Sequence, residues 1–184
     1  HPTAKGVYYA RTDMGGAYRW NDKDKRWDAI TDWISHEDRN SMGIERIAID
    51  PSNPDYVYLA CGTYTGPEMP NAAIFRSNDR GKTFQRTDML FKMGGNEDGR
   101  GNGERLMVDP HDGKIIYFGS RNDGLWKSTD RGITWNRVES FLDIKEAPPA
   151  APPADPNNRQ RRGFGGFRRP RSSGIITVVF DPAS

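Results

Sequence analysis

Apolar residues along this chain come in short runs that are separated by turns rich in Gly, Pro, Asp and Asn. Val57–Cys61 and Ile115–Phe118 are typical, and each follows an Asp-Pro pair by a few positions. Runs of this length, rich in β-branched and aromatic residues and bounded by turn formers, are typical of β-strands. No apolar run approaches the roughly 18 residues that a membrane-spanning helix requires. The pattern therefore predicts an all-β protein with many short strands.

Two turn segments repeat almost unchanged. Residues 76–84 and 127–135 share the pattern Ser-x-Asp-x-Gly-x-Thr-aromatic, and their aspartates, Asp79 and Asp130, lie 51 positions apart. In such a turn, which we call an Asp box, the carboxylate can accept turn N–H groups and the glycine can supply a positive φ. The aromatic residue is expected to pack inward between repeats. A period of roughly 40–50 residues with four short strands per repeat predicts β-propeller blades.

The repeat divides the chain into about three blades. Blade one has strands at Gly6–Thr12, Ala17–Trp20 and Trp27–Ile30, blade two runs over Ile44–Thr87, blade three over Glu104–Glu139, and Gly174–Phe180 is the expected first strand of a fourth blade. Propellers close with roughly 4–8 blades. We therefore expect residues 1–184 to form a partial propeller that belongs to a larger protein.

Residues 145–173 break the repeat. They combine an Ala/Pro-rich stretch with an Arg/Gly/Phe stretch that contains no acidic residue after position 158. One interpretation is a segment that contacts RNA or another polyanion. The interpretation that we favour is a flexible insertion between blades.

Composition excludes several classes of function. With 27 basic and 25 acidic residues the net charge is +2, which does not indicate nucleic acid or a membrane surface as the main partner. The three histidines are scattered, so neither a metal site nor a cofactor is expected.

Cys61 is the one cysteine and lies in an apolar run, which predicts a buried thiol. Residues 94–103 are glycine-rich but lack a following Lys-Ser/Thr pair, so a loop on a blade face is expected rather than a phosphate site.

Carboxylates are the remaining candidates for chemistry, and most have structural explanations. Asp50, Asp109 and Asp181 belong to Asp-Pro turns, and two others belong to the Asp boxes. Asp13 fits neither group, because it follows a strand and precedes Gly15 and Gly16, which would keep space open beside it. From the residues alone, Asp13 is either a turn-capping group or a catalytic carboxylate.

Two longer motifs resemble glycoside hydrolase family 74, the xyloglucanases. They are Ala10–Trp20, which contains Arg-Thr-Asp-Met-Gly-Gly, and Met93–Leu106, which contains Gly-Gly-Asn-Glu-Asp-Gly-Arg. The resemblance implies two seven-bladed propellers facing each other across a glucan cleft, and inverting hydrolysis of β-1,4-glucan such as xyloglucan. It implies that Asp13 is the general base, with the general acid outside this chain. It also implies a polysaccharide substrate and a secreted or periplasmic location.

Three further residues are candidates for substrate contact, namely Tyr64, Asn96 and Arg121. An isolated 184-residue chain should be inactive, because its acid partner would be missing.

The alternative to a glycoside hydrolase is a non-catalytic Asp-box propeller, sortilin-like or assembly-factor-like, that binds a protein or glycan partner and has no need of Asp13.

Overall fold

The computed structural model describes residues 1–101, 105–141 and 174–181. The predicted insertion at 145–173 lies outside the described residues. Within these ranges the chain forms eleven β-strands and one short 3-10 helix, Arg39–Met42. No helix in the described part is long and apolar enough to cross a membrane.

The strands form three separate antiparallel sheets, which confirms the predicted all-β class. Their bounds are β1 Tyr9–Arg11, β2 Ala17–Asn21 and β3 Arg26–Ala29 in the first sheet; β4 Ile44–Ile49, β5 Val57–Cys61, β6 Ala73–Ser77 and β7 Gln85–Asp88 in the second; and β8 Leu106–Val108, β9 Ile116–Gly119, β10 Leu125–Ser128 and β11 Asn136–Arg137 in the third. Each sheet pairs its strands in sequence order. The sheets coincide with the three predicted blades, and we number the blades accordingly.

Blade two is buried on both faces because it lies between the other two blades. Successive strand residues point to opposite faces. In β5, Val57, Leu59 and Cys61 therefore join a core shared with blade one, while Tyr58 and Ala60 join a core shared with blade three. This explains why β5 is a continuous apolar run rather than an alternating one. Cys61 is buried, as predicted, and burial raises the pKa of its thiol.

The Asp boxes have the predicted geometry. The Asp79 carboxylate accepts hydrogen bonds from the Thr83 hydroxyl at 2.6 Å and the Thr83 N–H at 3.0 Å, while Ser77 Oγ accepts from the Gly81 N–H at 2.8 Å. Gly81 has a φ of +77°. The aromatic residue after each box, Phe84 or Trp135, packs against the core between two blades. The boxes therefore stabilise turns and fix the blade-to-blade packing.

The stabilisation from Asp79 should depend on pH. Partial burial raises the pKa of Asp79, but hydrogen bonds from Thr83, Ser77 and Lys82 outweigh it and lower the pKa to about 2. Asp79→Ala should cost about 1 kcal/mol of unfolding free energy at pH 7, because the carboxylate is only partly buried and solvent screens its interactions. The contribution is fully present above the unfolded pKa, about 3.9, and is lost as pH falls through about 2.

Denaturant unfolding of wild type and the variant between pH 7 and pH 2 would measure this difference. Asn78→Ala is the matched control, since Asn78 is an exposed residue in the same box. It should leave the unfolding free energy nearly unchanged at every pH. A difference between Asp79→Ala and wild type that persists undiminished at low pH would contradict the proposed role of the carboxylate.

The predicted first strand of a fourth blade, Gly174–Phe180, is not a strand in the structure. The Ile175 N–H donates to the Ser120 carbonyl at 3.2 Å, and the Phe180 ring lies 5.7 Å from the Tyr117 ring. A strand requires a continuous ladder of backbone hydrogen bonds with a neighbour. Residues 174–181 make this isolated backbone contact with blade three instead, so the apolar pattern predicted their packing but not their pairing.

Candidate active site

The two ends of the blades carry different features. In an antiparallel sheet with strands in sequence order, alternate connections lie at alternate ends. The β6–β7 and β10–β11 connections hold the Asp boxes at one end. The β1–β2, β5–β6 and β7–β8 connections hold Asp13, Tyr64 and Asn96 at the other end. The fold therefore separates the structural boxes from the candidate site.

Asp13 lies in a hairpin turn that another residue caps. The Thr12 hydroxyl accepts a hydrogen bond from the Gly15 N–H at 2.7 Å and donates one to the Gly16 carbonyl at 3.0 Å. Gly16 has a φ of +77°, and a Cβ there would collide with Thr31. Of the two glycines, Gly16 is thus the one that the turn requires. Because Thr12 caps the turn, the carboxylate of Asp13 is available for another contact.

That contact is an ion pair with Arg100, which lies 87 positions away in the chain. Arg100 Nε donates to Asp13 Oδ2 at 2.6 Å. The two side chains are 42% and 44% exposed, respectively. The pair thus lies at the surface, where a carboxylate can meet both solvent and a ligand.

A small polar and aromatic surface adjoins Asp13 through Met14. The Tyr64 hydroxyl lies 3.3 Å from the Met14 sulfur, and the Asn96 amide nitrogen lies 3.1 Å from the same sulfur. That amide nitrogen also donates to the Tyr64 hydroxyl at 2.9 Å. Tyr64 and Met14 are 40% and 55% exposed. The structure therefore brings two of the three predicted contact residues together beside Asp13.

Arg121 takes a different position. Its guanidinium donates to the Glu45 carboxylate at 3.2 Å, to the Gly94 carbonyl at 2.7 Å, and to the Asp98 carbonyl. Its side chain is 10% exposed. Arg121 therefore supports the 93–101 loop, the part of the β7–β8 connection that carries Asn96 and Arg100. Contact between Arg121 and substrate stays a prediction.

Asp13 and Arg121 occupy equivalent hairpins in blades one and three. The Thr12 N–H and hydroxyl both donate to the Gly16 carbonyl, and the Ser120 N–H and hydroxyl both donate to the Gly124 carbonyl. In each hairpin the hydroxyl also accepts the N–H three residues on, at 2.7 Å. The same turn thus presents a carboxylate in one blade and an arginine in another.

Glu45 is the buried centre of the support for the 93–101 loop. It is 1% exposed, and it accepts hydrogen bonds from Arg105 at 2.8 Å and from the Gly94 N–H at 2.9 Å as well as from Arg121. Burial lowers the pKa of the Arg105 guanidinium; Glu45 opposes that effect, and Arg121 adds to it. A buried carboxylate with these three partners is stable only while all of them are in place.

Reasoning from the sequence did not single out Arg100, Glu45 or Met14. A signal for Glu45 was present, because the pair Glu45-Arg46 interrupts a strand that is otherwise apolar. Charged residues in a buried strand are rarely tolerated without partners. Arg100 and Met14 carry no comparable signal outside the two motifs. Among the described residues, no group of three or more His, Cys, Asp or Glu side chains could hold a metal ion.

Comparison with known proteins defines the class first. A family model described as the BNR-Asp box repeat matches residues 74–87 and 125–138, which contain the two boxes. The structure is similar to that of the family 74 xyloglucanase from Xanthomonas campestris, with a TM-score of 0.86 and 49% identity, covering 100% of this chain and 24% of that one. A family 74 enzyme from Niastella koreensis gives a TM-score of 0.79 and 35% identity, covering 98% of this chain and 23% of that one. This is a protein of the Asp-box β-propeller class.

Curated relatives narrow the class to a family. A xyloglucanase from Paenibacillus sp is 53% identical over 139 residues, 74% of this chain and 14% of the relative. A xyloglucanase from Hypocrea jecorina is 46% identical over 187 residues, 100% of this chain and 21% of the relative. The chain belongs to glycoside hydrolase family 74, and it spans 14% and 21% of the length of these two relatives.

Proposed function

We propose that this chain supplies the base side of the active site of an inverting glycoside hydrolase that cleaves β-1,4-glucan such as xyloglucan. The observation that carries the proposal is the position of Asp13. It is a half-exposed carboxylate that its turn does not use, and it lies beside the exposed Tyr64 and the partly buried Asn96. Membership of family 74, whose relatives here are xyloglucanases, supports the reaction class.

Asp13 acts as general base in this proposal. Its carboxylate takes a proton from a water molecule while the water oxygen attacks the anomeric carbon from the face opposite the leaving group. A second carboxylic acid protonates the departing glycosidic oxygen, at roughly 6.5–9.5 Å from the base. We place that acid outside this chain, in a second propeller that faces this one across the cleft.

Tyr64 and Asn96 contact the sugar in this proposal. A tyrosine ring offers an apolar face with a polar tip, and an amide offers both a donor and an acceptor. Both groups reach the Met14 sulfur, so they form one surface next to the base. Arg121 contributes by holding the loop that carries Asn96, in addition to the substrate contact predicted for it.

The remaining proposals concern the complete protein. The three blades belong to a seven-bladed propeller, and residues 145–173 are an insertion between its blades. The protein is secreted or periplasmic, because polymeric glucan is met outside the cytoplasm. A non-catalytic Asp-box propeller is not favoured, since the relatives found are xyloglucanases.

The reaction can be followed by proton NMR with the full-length protein, expressed from the complete gene that encodes this sequence. Xyloglucan should be cleaved, and the new reducing ends should appear first as the α-anomer, because inversion converts a β bond into an α product. Unbranched β-1,4-glucan run in parallel tests whether the xylose branches matter. Release of the β-anomer first would contradict an inverting mechanism, and no cleavage of either polymer would contradict the reaction class.

A further inference from the structure

The backbone of Arg100 is fixed by two arginines from different blades. Arg46 Nη1 donates to the Arg100 carbonyl at 2.7 Å from β4, and Arg11 Nη2 donates to it at 3.2 Å from β1. Arg46 is fully buried. Charge-assisted hydrogen bonds of this kind are about twice as strong as neutral ones. The Arg100 main chain is therefore anchored to both blade one and blade two, while its side chain extends toward solvent.

The loop that carries Arg100 is also fixed along its length. The Gly95 N–H donates to the Gly62 carbonyl at 2.7 Å, and a Cβ on Gly95 would lie 3.0 Å from the Gly43 backbone. The Glu97 carboxylate accepts from the Thr65 N–H at 2.9 Å and from its hydroxyl at 2.7 Å. Together with the contacts of Glu45 and Arg121, these contacts fix the loop and thereby limit the positions that the Arg100 side chain can reach.

The ion pair with Arg100 engages one of the two carboxylate oxygens of Asp13. Arg100 Nε reaches Oδ2, and Oδ1 receives no hydrogen bond from a described residue. A general base must present one carboxylate oxygen to the attacking water in a defined direction. An aspartate in a turn that contains two glycines, with no partner, would rotate about its side-chain bonds and sample directions that do not serve the water.

We propose that Arg100 is a positioning residue for Asp13, holding Oδ2 so that Oδ1 faces the nucleophilic water. This inference rests on the proposed function of Asp13 as general base. Arg100 itself neither gives nor takes a proton, because a guanidinium stays charged across the working pH range. Its effect therefore falls on the rate of the chemical step rather than on binding of the glycan.

Arg100→Ala in the full-length protein tests the proposal. The substitution removes the side chain but leaves the carbonyl that Arg11 and Arg46 bind. We expect kcat on xyloglucan to fall about a hundred-fold, as for a misplacement of about 1 Å at a reacting group, with KM close to wild type. Guanidinium ion added to the assay should restore part of the kcat of Arg100→Ala, because it can occupy the vacated place beside Asp13, and should not raise that of wild type.

The matched control is Arg80→Ala. Arg80 Nε pairs with Asp55 Oδ1 at 2.7 Å, and both side chains are 48% exposed, at the Asp-box end of blade two. This variant should retain wild-type kcat. Wild-type kcat in Arg100→Ala, a change confined to KM, or a loss that guanidinium does not restore would each overturn the positioning role. Asp13→Asn on the same substrate distinguishes failure of the positioning role of Arg100 from failure of the general-base role of Asp13. If Asp13→Asn stays active, the proposed function of Asp13 is wrong, whatever the result for Arg100→Ala.

Discussion

Asp13→Asn in the full-length protein should lower the rate of xyloglucan hydrolysis by a factor of about 10²–10⁴, the usual contribution of a general base. Asparagine has the shape of aspartate, and its amide oxygen can still accept a hydrogen bond from Arg100. It cannot take a proton from water at the working pH. Because the fold and the Tyr64 and Asn96 surface are unchanged, binding of xyloglucan oligosaccharide should remain close to wild type.

Initial rates of reducing-end release and calorimetric titration of the oligosaccharide would measure the two effects separately. Asp55→Asn is the matched control, since Asp55 is also a half-exposed aspartate paired with an arginine Nε, at the other end of the blades. Its rate should equal that of wild type. Nearly full activity of Asp13→Asn would contradict the assignment of Asp13 as the base. Loss of oligosaccharide binding together with activity would assign Asp13 to substrate contact instead.

Glu45→Ala should destabilise blades two and three by about 3–5 kcal/mol, the cost of breaking a buried ion pair by removing one partner. Glu45 and Arg105 are 1% and 4% exposed, and Arg121 is 10% exposed. Removal of the carboxylate leaves two nearly buried guanidinium groups without their counter-charge and frees the Gly94 N–H. Since the same carboxylate supports the 93–101 loop, activity should fall together with stability.

Native-state amide hydrogen exchange of β4 and β8 would measure the local free energy of opening in the full-length protein. Asp88→Ala is the control, because Asp88 pairs with Arg86 at 2.6 Å but is 72% exposed. An exposed pair should contribute at most about 1 kcal/mol. If Glu45→Ala costs no more than Asp88→Ala, the buried network does not stabilise the blades.

The repeat structure could be predicted well from the sequence because its determinants are local. An Asp box closes through hydrogen bonds between residues two to four positions apart, such as Asp79 with Thr83. The Asp-Pro turns close in the same way, with the Ser52 N–H donating to Asp50 at 2.9 Å. Strands between such turns then pair with their sequence neighbours. The prediction of a fourth-blade strand at 174–180 was wrong, because an apolar run does not specify whether a neighbouring strand is there to form backbone hydrogen bonds with it.

The candidate site could be predicted only in part. Asp13 became a candidate because it belongs to neither an Asp-Pro turn nor an Asp box. The resemblance to family 74 then implied that it is the general base. Its partner could not be found that way, since Arg100 lies 87 positions away and shares no local pattern with it. Substrate contact by Arg121 stays a prediction, while the hydrogen bonds of its guanidinium to Glu45 and to loop carbonyls could not be read from the sequence.

The sequence by itself determined the strands of the three blades, the Asp-box turns and the division into blades, and it left Asp13 outside the Asp-Pro turns and the Asp boxes. Each of these depends on contacts within a few residues or on the alternation of apolar positions. Only the tertiary structure decided which charged and polar groups meet: Arg100 with Asp13, Glu45 with Arg105 and Arg121, and Asn96 with Tyr64. These pairs depend on how neighbouring blades pack through their shared cores, which brings loops from distant parts of the chain to one end of the sheets.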